Sequence, residues 1–306
     1  MEENKVIEYI RNKFPYKNGI GDDAAIIANN HVISKDLLIE DVHFRTKYFD
    51  PKSLAHKSLH VNLSDMAAMN AKPLYIMLGI AFPKNNDDYI QIFIEEFCKV
   101  CHKNNVIIIG GDTTSSSDKI SISITIIGIS DNPVKRSTAN IGDDIYVIGE
   151  LGYAHLGLEA LENDVAGLEL FKESFLKPEA KIKESLSISS ELDITAMMDI
   201  SDGLVNDLKK LCLSSGVASR INISEFEYIK DFQLACDKLE LDPLSVALMG
   251  GEDYGLLVTM KPDAYKDFDA FNLKKIGKII AGKKGLVLYD KAIDISVKMF
   301  SHFGEL

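Results

Sequence analysis

Apolar and polar positions alternate strictly from Ile120 to Ile129, with Ile120, Ile122, Ile124 and Ile126 on one face and Ser121, Ser123 and Thr125 on the other. A period of two gives a strand with one buried and one polar face, the pattern of an antiparallel sheet. Ahead of it, Asp50-Pro51 reads as the N-cap and first residue of a helix running to about Met69, and Pro73 then leads into an apolar strand from Leu74 to Phe82. Between Tyr89 and His102 the period changes to that of a helix, carried by Ile90, Phe93, Ile94, Phe97 and Cys101. Val106 to Ile109 then reads as a buried strand that runs into Gly110-Gly111 and leaves Asp112 at its end. From Asp131 to Asp144 turn residues break the pattern before a new strand, Ile145 to Ile148, so a domain boundary is expected near residue 139, giving units 1–139 and 140–306. The second unit is predicted to hold a helix begun by Pro178, a strand into Asp199, a helix through Leu211 closed by Gly216, a short helix from Asp242 to Met249 and a strand from Tyr254 to Thr259. Strand and helix signals thus alternate from end to end, predicting an α/β or α+β fold of mixed and antiparallel sheets with packed helices.

Composition narrows the partners. With 306 residues and 46% hydrophobic content, the chain is long enough for two domains with a sizeable core. A net charge of −12 opposes nonspecific attraction to nucleic acid or anionic membrane, so neither is expected as a partner. No window approaches 18 uninterrupted apolar residues and the first residues lack a signal-peptide pattern, so a cytoplasmic location is expected. Cys98-Lys99-Val100-Cys101-His102 spells a covalent haem motif, but it closes an amphipathic helix rather than opening one, and both thiols are read as small core groups.

Carboxylates recur where apolar stretches end. Asp22 and Asp23 follow Gly21, Asp36 follows Ser34-Lys35, Asp65 closes Asn62-Leu63-Ser64, Asp112 follows Gly110-Gly111, Asp199 and Asp202 flank Ile200-Ser201, and Glu252 and Asp253 follow Gly250-Gly251. Acidic groups leaving hydrophobic segments carry a desolvation cost that a cation or donor must offset, and Asp oxygens are the hard ligands Mg²⁺ prefers. The pattern therefore points to a divalent-metal site for phosphate chemistry. Two glycine motifs do not contribute. Gly277 to Lys284 resembles a P-loop but ends in Lys284 where Ser or Thr must hold the metal, and is read as a hairpin turn; Gly149 to Gly152 lacks dinucleotide-loop spacing and is read as a tight turn.

The order of motifs resembles the thiamine-monophosphate kinases of the aminoimidazole-ribonucleotide-synthetase-like superfamily. Gly-Ile-Gly-Asp-Asp at 19–23, His43-Phe44, Val-Asn-Leu-Ser-Asp-Met-Ala-Ala-Met at 61–69, Gly-Gly-Asp-Thr-Thr at 110–114, Arg136-Ser137 before Gly142-Asp143, Asp-Ile-Ser-Asp-Gly-Leu at 199–204 and Gly-Gly-Glu-Asp-Tyr at 250–254 follow the family's order over nearly the whole chain. The resemblance implies two α/β domains, the first pairing across a homodimer, and ATP- and Mg²⁺-dependent phosphorylation of thiamine monophosphate to thiamine diphosphate. It places metal binding on Asp23, Ser34, Asp36, Asp65, Asp112, Asp199 and Asp202, nucleotide contacts on Gly111, Asp112, Arg136 and Ser201, and substrate contacts on His43, Glu252 and Phe303. Asp65, Asp112 and Arg136 are the residues expected to carry turnover. The chain departs from the family at Lys35, where Thr is usual, and at Gly255, where Glu is usual.

The chemistry agrees with the residues. Phosphoryl transfer passes through a loose transition state that positioning and cations stabilise, so no protein nucleophile is needed if the substrate phosphate attacks directly. Arg136 is the arginine expected to clamp phosphate. Two rival readings are another ATP-using enzyme of the superfamily and a nucleotide sensor without turnover. No Cys precedes Cys98 to serve as a selenophosphate-synthetase nucleophile, and the chain ends His-Phe-Gly-Glu-Leu rather than in the Cys motif of the hydrogenase-maturation relatives.

Overall fold

The computed structural model describes residues 3–13, 20–84, 86–262 and 271–291. Its first half comprises α1 (Glu3–Lys13), β1 (Ala25–Ile27), β2 (His31–Ile39), α2 (Pro51–Ala68), β3 (Lys72–Pro83), α3 (Asp87–Lys103), β4 (Ile107–Ser116) and β5 (Ser121–Ile129). The strands order as β1-β2-β5-β3-β4, antiparallel throughout except for the parallel pair β3–β4. As the alternation requires, Ile120, Ile122, Ile124 and Ile126 are fully buried. Directly opposite them on β2 and β3 lie Leu38 and Ile80, Asp36 and Leu78, and Ser34 and Ile76, so a polar pair shares the core face.

α2 covers that face. Asp50 caps it through Lys52 N and Ser53 N, both at 2.8 Å, with Pro51 at the first helical position. The helix is buried on every side, so its polar residues need internal partners. Ser58 Oγ donates to Leu54 O, and Asn62 Nδ2 to Ser58 O. Its far side meets the second half, where Ala67 and Ala68 pack with Ile148, Met197 and Val258.

That second half comprises β6 (Asp144–Ile148), α4 (Tyr153–Glu162), α5 (Glu169–Leu176), α6 (Ile182–Glu191), β7 (Ile194–Ile200), α7 (Leu204–Ser215), β8 (Ala218–Ile221), α8 (Lys230–Leu239), α9 (Pro243–Met249), β9 (Gly255–Met260), β10 (Leu273–Ile280) and β11 (Val287–Tyr289). Its sheet runs β11-β8-β10-β6-β9-β7, with β11–β8 the parallel pair. The fold is therefore mixed α/β with two mixed sheets, as expected. Among the described residues no helix is long and apolar enough to cross a membrane.

Several local expectations change. β10 runs through Gly277, and β11 pairs with β8 instead of β10, so the glycine-rich segment joins strands that flank β8 and does not form a hairpin. Pro178 lies in the connection before α6, not at a helix start. Cys98 is exposed, whereas Cys101 is buried. β4 is an exposed edge that continues past Gly110-Gly111 to Ser116, with Ile107 58% exposed; among the described residues nothing covers the run expected to be buried.

Candidate active site

Three elements converge where the two halves meet. The turn before β1 supplies Asp23, α2 supplies Asp65, and the C-terminal end of strand β7 supplies Asp199; carboxylate oxygens of the three lie within 4.8 Å of one another. β2 adds Ser34 and Asp36 because both point to the α2 side of the sheet. Ser34 Oγ bonds the Asp65 carboxylate and approaches Asp23 O at 3.1 Å, while Ser64 Oγ donates to Asp199 Oδ2 at 2.8 Å. Burial raises the pKa of Asp23, Asp65, Asp36 and Asp199, and mutual repulsion pushes the first three up further: Asp199 acts on Asp23, and Asp36, Asp199 and Asp23 act on Asp65. Opposing this, Arg136 Nη2 pairs with Asp23, and Arg136 N donates to Asp22 Oδ1 at 3.3 Å.

Two loops close the site. Between β7 and α7, Asp202 is paired with Lys210, and Ser201 N and Asp202 N both donate to Asp207 Oδ2, at 3.0 and 2.9 Å. Asp207, inside α7, thus organises the loop; neither Ser201 nor Asp202 caps the helix, whose N-cap is Gly203 at φ 97°. The strap from Gly250 to Tyr254 is stitched alongside, with Glu252 N donating to Ser201 O at 2.7 Å and Tyr254 N to Ile200 O at 2.9 Å. This approach requires glycine at 251, where a Cβ would lie 2.7 Å from Ser201 O. Asp253 accepts from Gly152 N and Ala154 N at the start of α4, whereas Glu252, at φ 66°, accepts from Lys57 Nζ.

The remaining candidates lie further off. Gly111 and Asp112 fall inside exposed β4, where Asp112 is in register with Gly79 and, beyond it, Ser123, on the sheet face turned away from α2; Asp112 is not in the three-carboxylate group. His43 is half-buried in the turn after β2, with Nδ1 accepting from Ile39 N at 3.0 Å. Phe303 lies outside the described residues.

The sequence pattern marks Asp253 as one of the recurring carboxylates but gives no site role to Lys57, Asp207 or Lys210. Lys57 pairs with Glu252 at 3.1 Å across 195 positions of sequence, a separation that no local pattern reveals. Asp207 and Lys210 sit at helical spacing from the Asp202 loop and were legible in principle. A second metal-like group, His56, His60 and Glu179, is already committed: His56 Nε2 lies 3.0 Å from Pro178 O, and His60 Nδ1 accepts from Ala180 N at 3.1 Å.

The main group fits a hard divalent cation. Its donors are carboxylate oxygens, and Asp23 Oδ2 is buried without a hydrogen-bond partner among the described residues. Beside it, a cavity of about 390 Å³ is lined by Gly21, Asp22, Lys135, Ser137, Leu213 and Ser214.

Comparison with known proteins agrees. Residues 21–130 match the N-terminal domain of AIR synthase related proteins, and residues 140–290 match the C-terminal domain. The chain is 36% identical over 305 residues to the thiamine-monophosphate kinase of Buchnera aphidicola subsp. Schizaphis graminum, covering 93% of this chain and 92% of that protein. It is 31% identical to the thiamine-monophosphate kinase of Aquifex aeolicus, with the same coverage. In structure it superposes on AaThiL complexed with AMPPCP and TMP with a TM-score of 0.89 and 29% identity, over 99% of this chain and 97% of that one. With both halves matched in order and relatives aligned over nearly their whole length, the chain belongs to the thiamine-monophosphate kinase family of AIR-synthase-related proteins.

Proposed function

We propose that this chain transfers the γ-phosphoryl group of ATP to the phosphate of thiamine monophosphate, giving thiamine diphosphate and ADP. The observation that carries the reading is the convergence of Asp23, Asp65 and Asp199 beside Arg136, in a chain whose relatives bear that enzyme name. Mg²⁺ belongs to the same reading. Asp23, Asp65 and Asp199 would hold it, with Ser34, Asp36 and Asp202 close by, and bound there it supplies positive charge against the polyphosphate. Asp112, Gly111 and Ser201 remain nucleotide or metal contacts in this proposal, and His43 and Phe303 substrate contacts.

The protein's own groups position the reactants. Arg136, held between Asp22 and Asp23, offers a rigid guanidinium to phosphate, and the adjoining cavity receives the nucleotide. Glu252, on the strap beside Ser201, takes the cationic organic part of the substrate. No protein nucleophile enters this scheme, because the acceptor phosphate attacks the γ-phosphorus itself. Division into units 1–139 and 140–306, and pairing of two chains through the first sheet, complete the reading. The test is to incubate the full chain with ATP, MgCl₂ and thiamine monophosphate and separate the products. Thiamine diphosphate should form, and neither excess chelator nor free thiamine as acceptor should support turnover; equal product under chelation would overturn the metal assignment.

A further inference from the structure

Lys57 lies in the second turn of α2 with its side chain only 1% exposed. Its Nζ stands 3.8 Å from the centroid of the Phe175 ring and 5.2 Å from that of Phe49, and it donates to Phe175 O at 3.3 Å and to Glu252 Oε2 at 3.1 Å. Lysine is among the residues least often buried, and a packed apolar side chain generally stabilises such a position as well as or better than a buried ion pair. Filling space therefore does not account for an ammonium here.

Its carboxylate partner explains the choice. The strap around Glu252 is fixed, by Ser201 O on its own N–H, by Ile200 O on the Tyr254 N–H, and by the start of α4, whose N–H groups donate to the Asp253 carboxylate. Glu252 Oε2 lies against Lys57 while Asp253 faces the start of α4, and 29% of the Glu252 side chain is still exposed. The bond from the Glu252 N–H to Ser201 O, between Asp199 and Asp202 in the chain, places the Glu252 backbone beside the carboxylate group. A buried cation flanked by two aromatic rings is thus paired with a carboxylate that stays partly exposed on the strap beside Ser201.

We infer that Lys57 is a positioning residue for substrate recognition: it fixes the Glu252 carboxylate toward the cleft, where Glu252 meets the cationic organic part of thiamine monophosphate. Lys57 itself touches no substrate, because the rings of Phe49 and Phe175 and the Glu252 carboxylate enclose its head. The inference rests on the assignment of Glu252 to the substrate in the proposed function.

A double-mutant cycle on the full chain tests it, with KM for each substrate and kcat measured for Lys57→Met, Glu252→Gln and the double variant. Each single change should raise KM for thiamine monophosphate about tenfold or more, as loss of a buried charged hydrogen bond does, while KM for ATP moves less than about twofold. The double variant should match Glu252→Gln, since Lys57 acts only through that carboxylate. A purely structural lysine would lower thermal stability and the active fraction without separating the two KM values. If Lys57→Met does not fold, the double variant, which leaves no unpaired buried charge, gives the same comparison against Glu252→Gln. Raised KM in Glu252→Gln with an unchanged value in Lys57→Met, or a double variant about tenfold worse than Glu252→Gln, overturns the positioning role and leaves the Glu252 assignment standing. An unchanged KM in Glu252→Gln overturns both.

Discussion

Lys35 follows Ser34 on β2, yet its Nζ reaches Ser123 Oγ at 2.5 Å on the sheet face turned away from α2. Alternation along a strand is the cause, since Ser34 and Asp36 must share one face and Lys35 the other. Departure from the family's usual Thr therefore leaves the carboxylate group intact, and Lys35→Thr is expected to give an unchanged Mg²⁺ titration of turnover. A shifted half-saturation would show that the ammonium senses the metal site. The same geometry separates Asp65 from Asp112. The Asp65 carboxylate, on a buried helix, lies within 4.8 Å of those of Asp23 and Asp199, so Asp65→Asn should lower kcat by about 10²-fold or more, roughly 2.7 kcal/mol of transition-state stabilisation. Exposed Asp112 should cost less when changed to Asn, and comparable losses would place it at the reacting groups. Aspartates at the ends of apolar segments were readable from sequence because burial of a charge is conspicuous in a pattern. Lys57 was not, because what makes it informative is a partner 195 positions away.

At the scale of elements, α2 is the piece on which the halves are hung. Its predicted span, Asp50 to about Met69, holds because the Asp-Pro cap and the following Pro73 are local signals that tertiary packing does not override. What the pattern could not show is the use of each polar residue, since a helix buried on all sides has no single apolar stripe to read. On its surface toward α6, the His56 and His60 rings stack with centroids 4.1 Å apart and bind the backbone of Pro178 and Ala180. Burial, reinforced by the positive charges of His56, Lys103 and Lys181, pushes the His60 pKa from 6.5 down to about 3. Below pH 6.5 the unfolded chain takes up a proton that the folded chain refuses, so this contribution to stability is present at neutral pH and is lost as pH falls toward 3. His60→Asn, which keeps an acceptor for Ala180 N, removes that loss. Its destabilisation should accordingly be larger at pH 7.5 than at pH 5 in thermal melts, and a penalty independent of pH would sink the argument. The missed pairing of β11 has a similar origin: alternation identifies a strand but does not say which neighbour it joins.

For the whole molecule, the outer face of the first sheet is the feature that the described residues leave uncovered. Leu37, Tyr75, Met77 and Ile107 project from it with exposures of 54%, 38%, 45% and 58%, and β4 leaves a long unprotected edge beside them. The other face of the same strands is filled by α2 and α3, so among the described residues the asymmetry reflects a missing layer and not a poor strand pattern. Natural sheets protect edges and seldom show contiguous apolar patches to water, which favours pairing of this face with a second copy in the proposed homodimer. Such pairing must be self-complementary about a two-fold axis, so a single new charge enters the interface twice. Met77→Glu and Leu37→Glu should therefore each convert a two-chain species into single chains in sedimentation equilibrium, with circular dichroism unchanged. The two positions lie on different strands, which separates loss of the interface from damage to one edge. A wild-type chain that sediments as a monomer at micromolar concentration would refute the pairing, and the apolar face would then require another cover.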